Sequence, residues 1–499
     1  MAKEEKIPTL PPLVRKSLES GLITDSAVSE NRRPETSCSE SINFDFQTIG
    51  AAKTRLGITQ IGNTFGGNML GIHQLIDTVN VPATGTQLIV VNGGNAYYLN
   101  NGGTYTSIRA GLTPSQKARF ADLLNYTFMV NGADATAIWN GNVSGSFVTT
   151  GSANGAPIGK YIDTFVGRVW IAGNPSYPDR LFWSTKSLPA VTQTVTWSTD
   201  PTTGTQWGDI SPNDGETITA LKKYKNALLV FKPNRIYKVY NISTVDQDPS
   251  YTVGTYSQES VVETKAGLFF HHSTGFYQYN VYGILQEISI PIIDIVRAIP
   301  ASSYTSVAGW IDPDGDHINW SIGNVTYGGV SYTNMVVRYR ISTQVWTHRV
   351  YTVQFICSGR YTDGSTLFNI IGTTDGRTYK YNVGTTDDGT PIAYALTHRW
   401  ENIDGLLSTR KNVTIACFNH YGGAGTNVNY QKEGDTVGDW GKRVGKGQFD
   451  SYNTGFNSID IKGRKIRIRI SGENKGQPIE YNGYEIIAAM DELMTFSTK

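Results

Sequence analysis

Cysteine is scarce in this chain of 499 residues: Cys38, Cys357 and Cys417 lie far apart with no C-x-x-C pair, which argues against a disulfide framework and against a zinc site. Methionine is also rare, at 6 residues against 28 Tyr and 10 Trp, a balance that favours strands over helices. No apolar run approaches the ~18 residues of a membrane span. The opening MAKEEKIPTLPPLVRKS lacks the continuous apolar segment of a signal peptide, so synthesis in a reducing cytosol is expected. Charge of one sign is lacking too. Lys and Arg number 43 and Asp and Glu 42, a formal charge of +1, which excludes tight nucleic-acid binding through many phosphate contacts.

What the chain does have is glycine, 53 residues of it, and a repeat. TQLIVVNGGNAYYLNNG (residues 86–102) is followed by YTFMVNGADATAIWNG (126–141), and Gly93 to Gly132 and Gly102 to Gly141 are both 39 residues apart. Short strands recurring every ~40–50 residues indicate a β-propeller. The pattern continues through residues 160–185, 218–241, 264–283, 307–323 and 366–384, with turns at Lys232-Pro233-Asn234-Arg235, Ser273-Thr274-Gly275, Asp314-Gly315 and Asp375-Gly376. From Gly71 to Thr386 there are 316 residues, or 45 for each of seven units; six blades and one irregular segment fit equally well.

The expected organisation is therefore all-β: an N-terminal arm (1–40), lead-in strands (41–70) open to sharing with the C-terminal sheet, a propeller of six or seven irregular blades (71–386), and a separate antiparallel sheet or sandwich (387–499). The arm is polar and proline-punctuated, and in the lead-in Ile42, Phe44 and Phe46 alternate with Asn43 and Asp45 as in a half-buried strand. Two stretches read as short connecting helices, TPSQKARFADLL (113–124) and PIIDIVRAI (291–299).

Several constellations invite a chemical reading. Asp312, Asp314 and Asp316 offer three carboxylates to a cation, although the spacing departs from an EF-hand and Asp-Gly in a hairpin explains it as well. His271 and His272 are adjacent in a strand and point to opposite faces, so they read as packing and surface residues. Ser198, Asp200, Gly204 and Trp207 resemble the Asp-box turn of sialidase propellers, with two extra residues and no second copy. In KGRKIRIRI, Ile466, Ile468 and Ile470 take one face of a strand and Lys465, Arg467 and Arg469 the other; Arg338 and Arg340 form a weaker basic face. Such ladders either protect an edge strand or meet phosphate or an acidic partner. No cofactor is indicated.

The order of features, a polar arm, INFDFQTIGAAKTRLGITQIG, hairpins of the VVNG–AYYL and FMVNG–AIWNG type, then DDGTPIAYALTHRW before a terminal sheet, resembles the tail hub or nozzle propeller proteins of short-tailed bacteriophages. The resemblance implies a non-enzymatic virion protein located in the tail and made in the host bacterial cytoplasm. It implies a homo-oligomer, typically a six-fold ring beneath the portal and adaptor, that prolongs the channel and passes double-stranded DNA transiently. Lys465, Arg467, Arg469, Arg338 and Arg340 would then serve partner or channel contacts. A glycan- or receptor-binding propeller at the tail tip and a sialidase-like glycosidase are the alternative classes.

Overall fold

Gly93 and Gly94 take φ of +53° and +89°, and the tight turn they form joins strands Thr86–Asn92 and Asn95–Leu99. Positive φ at both central residues matches the twist of the flanking strands, which is why glycine stands there. The computed structural model describes residues 13–15, 18–27, 32–46, 51–76, 86–124, 126–186, 195–197, 206–242, 245–247, 252–401, 409–421, 427–432, 453–463, 465–474 and 478–493.

Seven antiparallel units follow one another as propeller blades, six of them small separate sheets and one part of a larger sheet. Blade 1 is Met69–Ile76, Thr86–Asn92, Asn95–Leu99 and Tyr105–Arg109. Blade 2 has three strands, Arg119–Leu123, Tyr126–Val130 and Ala137–Trp139; blade 3 is Tyr161–Phe165, Arg168–Ala172, Arg180–Trp183 and Trp207–Asp209. Blade 4 is Ala220–Tyr224, Ala227–Lys232, Arg235–Val239 and Val245–Gln247, and blade 5 is Val262–Thr264, Gly267–His272, Gly275–Asn280 and Leu285–Glu287. Blade 6 contains Ala308–Ile311, His317–Tyr327, Val330–Arg340 and Val345–Val350. Blade 7, Phe355–Thr362, Leu367–Thr373 and Thr378–Tyr381, takes its fourth strand, Ile58–Ile61, from before blade 1. The propeller thus begins at residue 58 rather than 71, with its last blade completed by its first strand.

The first strands of blades 1 to 4 lie against one another in turn, as do those of blades 5 to 7 and of blades 7 and 1. Blades 4 and 5 are tied by the Gln258 amide, which bonds both the N–H and the C=O of Leu221, and by Lys222 to Glu263 at 3.2 Å. Each blade buries its faces against its neighbours, as with Trp170, Trp183, Leu221 and Val230 between blades 3 and 4.

The rest of the chain is not a separate domain. Blade 6 continues across a parallel bridge, His348 to Ile42, into Ser37–Ile42, Ile392–His398, Ile466–Asn474 and Asn427–Lys432, making one nine-stranded sheet with Gly21–Leu22 beside Ser37–Ile42. A six-stranded sheet runs Asn453–Gly463, Thr409–Tyr421, Glu480–Leu493, Ala52–Thr54 and Phe44–Phe46, with Leu13–Arg15 also on Glu480–Leu493. The propeller is therefore an insertion into a two-sheet body built from both ends of the chain. Where the chain enters and leaves it, Gly57 and Gly384 exchange a backbone bond of 2.9 Å, and Ile58 pairs with Asp387.

The expected arm is also corrected over its described part. Leu18 and Leu22 belong to the largest core cluster, with Phe44, Trp320, Trp346, Ile466 and Tyr484, and Gly21–Leu22 pairs with Ser37–Cys38. Two leucines in a polar stretch suffice to anchor it. The single strand expected over residues 42–46 breaks at Asn43, whose φ of 59° turns the chain from one sheet to the other. Residues 113–124 hold no helix: Arg119–Leu123 is the first strand of blade 2, bracketed by positive φ at Ser115 and Leu124. The second helix is present, Ile290–Ile292 running into Ile293–Ala298 and burying Ile292, Ile295 and Val296. Among the described residues no helix is long and apolar enough to cross a membrane.

Candidate functional site

The propeller axis is where a blade ring offers a site, and its lining comes from the first strand of each blade. Glu259, just ahead of the first strand of blade 5, reaches Arg119 at 2.7 Å and Lys117 at 3.2 Å, both at the start of blade 2. Burial pushes the Glu259 carboxyl up, but Arg119 and Lys117 outweigh it and hold it at about 2. An ion pair between blades 2 and 5 crosses the hub at that end. Further along the strands, His73 of blade 1 meets Asp122 of blade 2 at 2.8 Å. Asp163 of blade 3 accepts the N–H of Lys223 in blade 4, and burial pushes its carboxyl up.

Beyond this bridge a cavity of about 820 Å³ is lined by blades 4 to 7, with Lys222, Glu263, Lys265, Trp310, Asp314 and Arg360 among its walls. Its volume suits a small ligand. Its charges are mixed, and Lys222 and Glu263 already pair.

The three aspartates do not converge as the spacing suggests. Asp312, Asp314 and His317 are the residues brought within 4.8 Å, while Asp316 turns to Arg340 at 2.8 Å and to the Ser342 hydroxyl at 2.7 Å. Asp312 is buried and accepts from Asn319 (2.8 Å), Arg338 (2.7 Å) and Asn382 (2.9 Å). Burial pushes the Asp314 carboxyl up, yet the His317 ring, 2.7 Å away, and the Asp316 N–H hold it below the ordinary range. Three donors take most of the lone-pair positions of the Asp312 carboxylate, and the Arg338 guanidinium among them already supplies the positive charge a cation would bring. The residues do not fit a metal centre.

Nor is the Arg338 and Arg340 face an open basic surface. Arg338 is buried between Asp312 and Asp45, and the neighbouring Arg349 meets Asp45 at 2.5 Å, the Tyr381 hydroxyl at 2.6 Å and Asn382 at 2.8 Å. Burial pushes the Asp45 carboxyl up, and Arg338 and Arg349 hold it at about 2. Close by, Arg55 bonds Asp387 through both amino groups at 2.7 and 2.5 Å and lies over the Tyr351 ring. Its Nε donates to Asn43, whose amide also bonds Ala393 and Val350. These pairs join the lead-in to blades 6 and 7 and balance in charge. Sequence reasoning missed them because the partners lie roughly 300 residues apart; the one local signal was Asn43, a residue that tolerates positive φ, inside an alternating strand.

Ile466, Ile468 and Ile470 are buried as the alternation predicts. Their strand, however, is no edge: Ile392–His398 pairs on one side and Asn427–Lys432 on the other. Arg469 binds Glu40 at 2.9 Å, and Arg467 lies over the Trp400 ring at 4.7 Å. Lys465 is half-buried at the strand's start. The ladder is thus absorbed largely into the two-sheet body.

His271 and His272 are both buried, which corrects the expectation of one surface residue. Burial pushes the His271 ring down to about 3, and neither of its nitrogens has a hydrogen-bond partner among the described residues. His272 bonds Thr274 and Asn234. Of the Asp-box resemblance, Ser198, Asp200 and Gly204 lie outside the described residues, and Trp207 stacks on Arg180 at 3.5 Å.

The fold and hub define a β-propeller protein. No family model matches the chain, and no curated protein matches it. Among solved structures it is similar to virginiamycin B lyase from Staphylococcus aureus (13% identity, 66% of this chain and 99% of that one, TM-score 0.41). U3-55K is 8% identical over 65% of this chain and 98% of its own, with a TM-score of 0.43. YCF48, solved bound to D1 peptide, is 10% identical over 69% and 100%, with a TM-score of 0.41.

Proposed function

We propose that this protein is a structural subunit of a short-tailed bacteriophage tail, assembling as a ring, six-fold in the resemblance, that extends the DNA channel below portal and adaptor. The observation that carries the reading is the tie between propeller and two-sheet body: Arg55–Asp387 and the Asp45–Arg338–Arg349–Asp312 group are buried, bidentate or multiply bonded, and charge-balanced. Such pairs add little net stability but fix geometry, which a pressurised conduit requires of its subunits. The formal charge of +1 agrees, because a wall rich in cations would grip phosphates and slow the passage of DNA. With Glu259 spanning the propeller's hub, the channel in this reading runs between subunits rather than along a propeller axis. The reading assigns no catalytic residue.

Negative-stain images of purified tails labelled on this chain test the proposal. A ring of labels around the tail axis supports it; a chain that is absent from the tail, or present as one peripheral copy, overturns it. A second reading, a glycan-binding propeller at the tail tip, rests on the hub cavity of about 820 Å³. Binding on a glycan array that is lost on Arg360→Ala would favour it.

A further inference from the structure

The turns that close blades 4 and 5 at one end carry large apolar side chains in full view of solvent. Tyr282 is 85% exposed and Ile284 54%, in the turn between Gly275–Asn280 and Leu285–Glu287; Tyr240 and Ile242 follow the third strand of blade 4. The Tyr282 turn lies against this end of blade 4. The Lys225 ammonium donates to the Val281 carbonyl at 2.6 Å, and a Cβ at Gly283 would sit 3.6 Å from the Lys238 nitrogen. The Tyr282 turn is also held rigidly, with the side-chain Oδ1 of Asn280 accepting from the N–H of Tyr282 (2.9 Å) and of Ile284 (3.0 Å). A fixed turn that holds a tyrosine and an isoleucine in water exposes apolar surface at a steady cost, unlike a loose loop that can fold it away.

The charge around these side chains is mostly positive. Lys223, Lys225 and Lys265 are exposed at the same end of the two blades, joined by Lys222 and Lys238. The acidic groups there include Glu263, already paired with Lys222, and half-buried Asp163, which accepts the Lys223 N–H.

We infer that this corner of the propeller docks on an anionic lipid surface. The apolar pairs project from turns instead of lining a groove, and a bilayer needs no pocket to receive them. Tyrosine is suited to the headgroup level, isoleucine to the acyl boundary beneath it, and lysines at the rim to lipid phosphates. The inference concerns the isolated chain and does not rest on the tail reading.

Flotation of the full chain with vesicles of phosphatidylcholine, with and without phosphatidylglycerol, tests it. Binding is expected only with phosphatidylglycerol. Tyr282→Ser with Ile284→Ser is expected to weaken it about tenfold or more, and Lys223→Glu with Lys265→Glu about fivefold or more per lysine. All four positions are exposed or lie at turns, so an unchanged urea midpoint serves as the check that the variants are folded. No binding to anionic vesicles, or binding that both variants leave intact, overturns the inference. So does self-association or tail incorporation that depends on Tyr282 while vesicles are ignored, which would make the patch a protein interface.

Discussion

Two histidines have been placed where a proton cannot be accommodated. His271 packs against Phe276 and Tyr304, and His348 against Tyr327 and Tyr332, and the ring nitrogens of both lack hydrogen-bond partners among the described residues. Burial pushes them down from 6.5 to about 3 and about 4 respectively. The folded values lie below the unfolded ones, so the stability linked to the neutral rings is complete above pH 6.5 and is lost progressively as pH falls towards the folded values. At pH 5.5 an unfolded histidine is about ten-elevenths protonated while these rings remain neutral, which costs about 1.4 kcal/mol each, or about 3 kcal/mol for the pair. His272, held at about 4, acts in the same direction. Asp45 and Glu259, each held at about 2 against ordinary values of 3.8 and 4.5, begin to withdraw stability only at lower pH. Asp163, raised by burial, works in the opposite sense. Urea unfolding at pH 7.5 and 5.5 measures the effect. His271→Phe, which replaces an unbonded ring by one of similar size, should retain about 1.4 kcal/mol more than the natural chain at pH 5.5, after correction for any difference at pH 7.5. Equal losses in the two proteins between those pH values would refute the reasoning.

Other expectations follow from the same geometry. Arg55→Met leaves Asp387 buried without its partner and should cost about 3–5 kcal/mol, read as a lower urea midpoint and faster proteolysis near residues 55–58. Glu259→Gln leaves Lys117 and Arg119 side by side in blade 2 without the carboxylate that faces them; a loss of about 2 kcal/mol or more in thermal unfolding is expected, and an unchanged midpoint would count against the bridge. Gly94→Ala would place a Cβ 2.8 Å from the Leu112 carbonyl oxygen at φ +89°, costing roughly 1–3 kcal/mol by denaturant titration. Calcium should leave the melting temperature unchanged, since the Arg338 guanidinium already neutralises Asp312; a rise abolished by Asp314→Asn would contradict that.

The repeat, its turns and the propeller class were determined by the sequence alone, because Gly93, Gly132, Gly315 and Gly376 all take positive φ where local backbone geometry demands it. The burial of Ile466, Ile468 and Ile470 was legible for a similar reason, the two-residue period of a strand. Tertiary structure decided the rest. That Ile58–Ile61 completes blade 7, that both ends of the chain build one body, and that Arg338 and Arg469 are consumed by Asp45, Asp312 and Glu40 depend on pairings across hundreds of residues. A charge on an alternating strand reads as solvated until its partner is known. That partner is chosen by which strands come to lie side by side, and no local pattern records the choice.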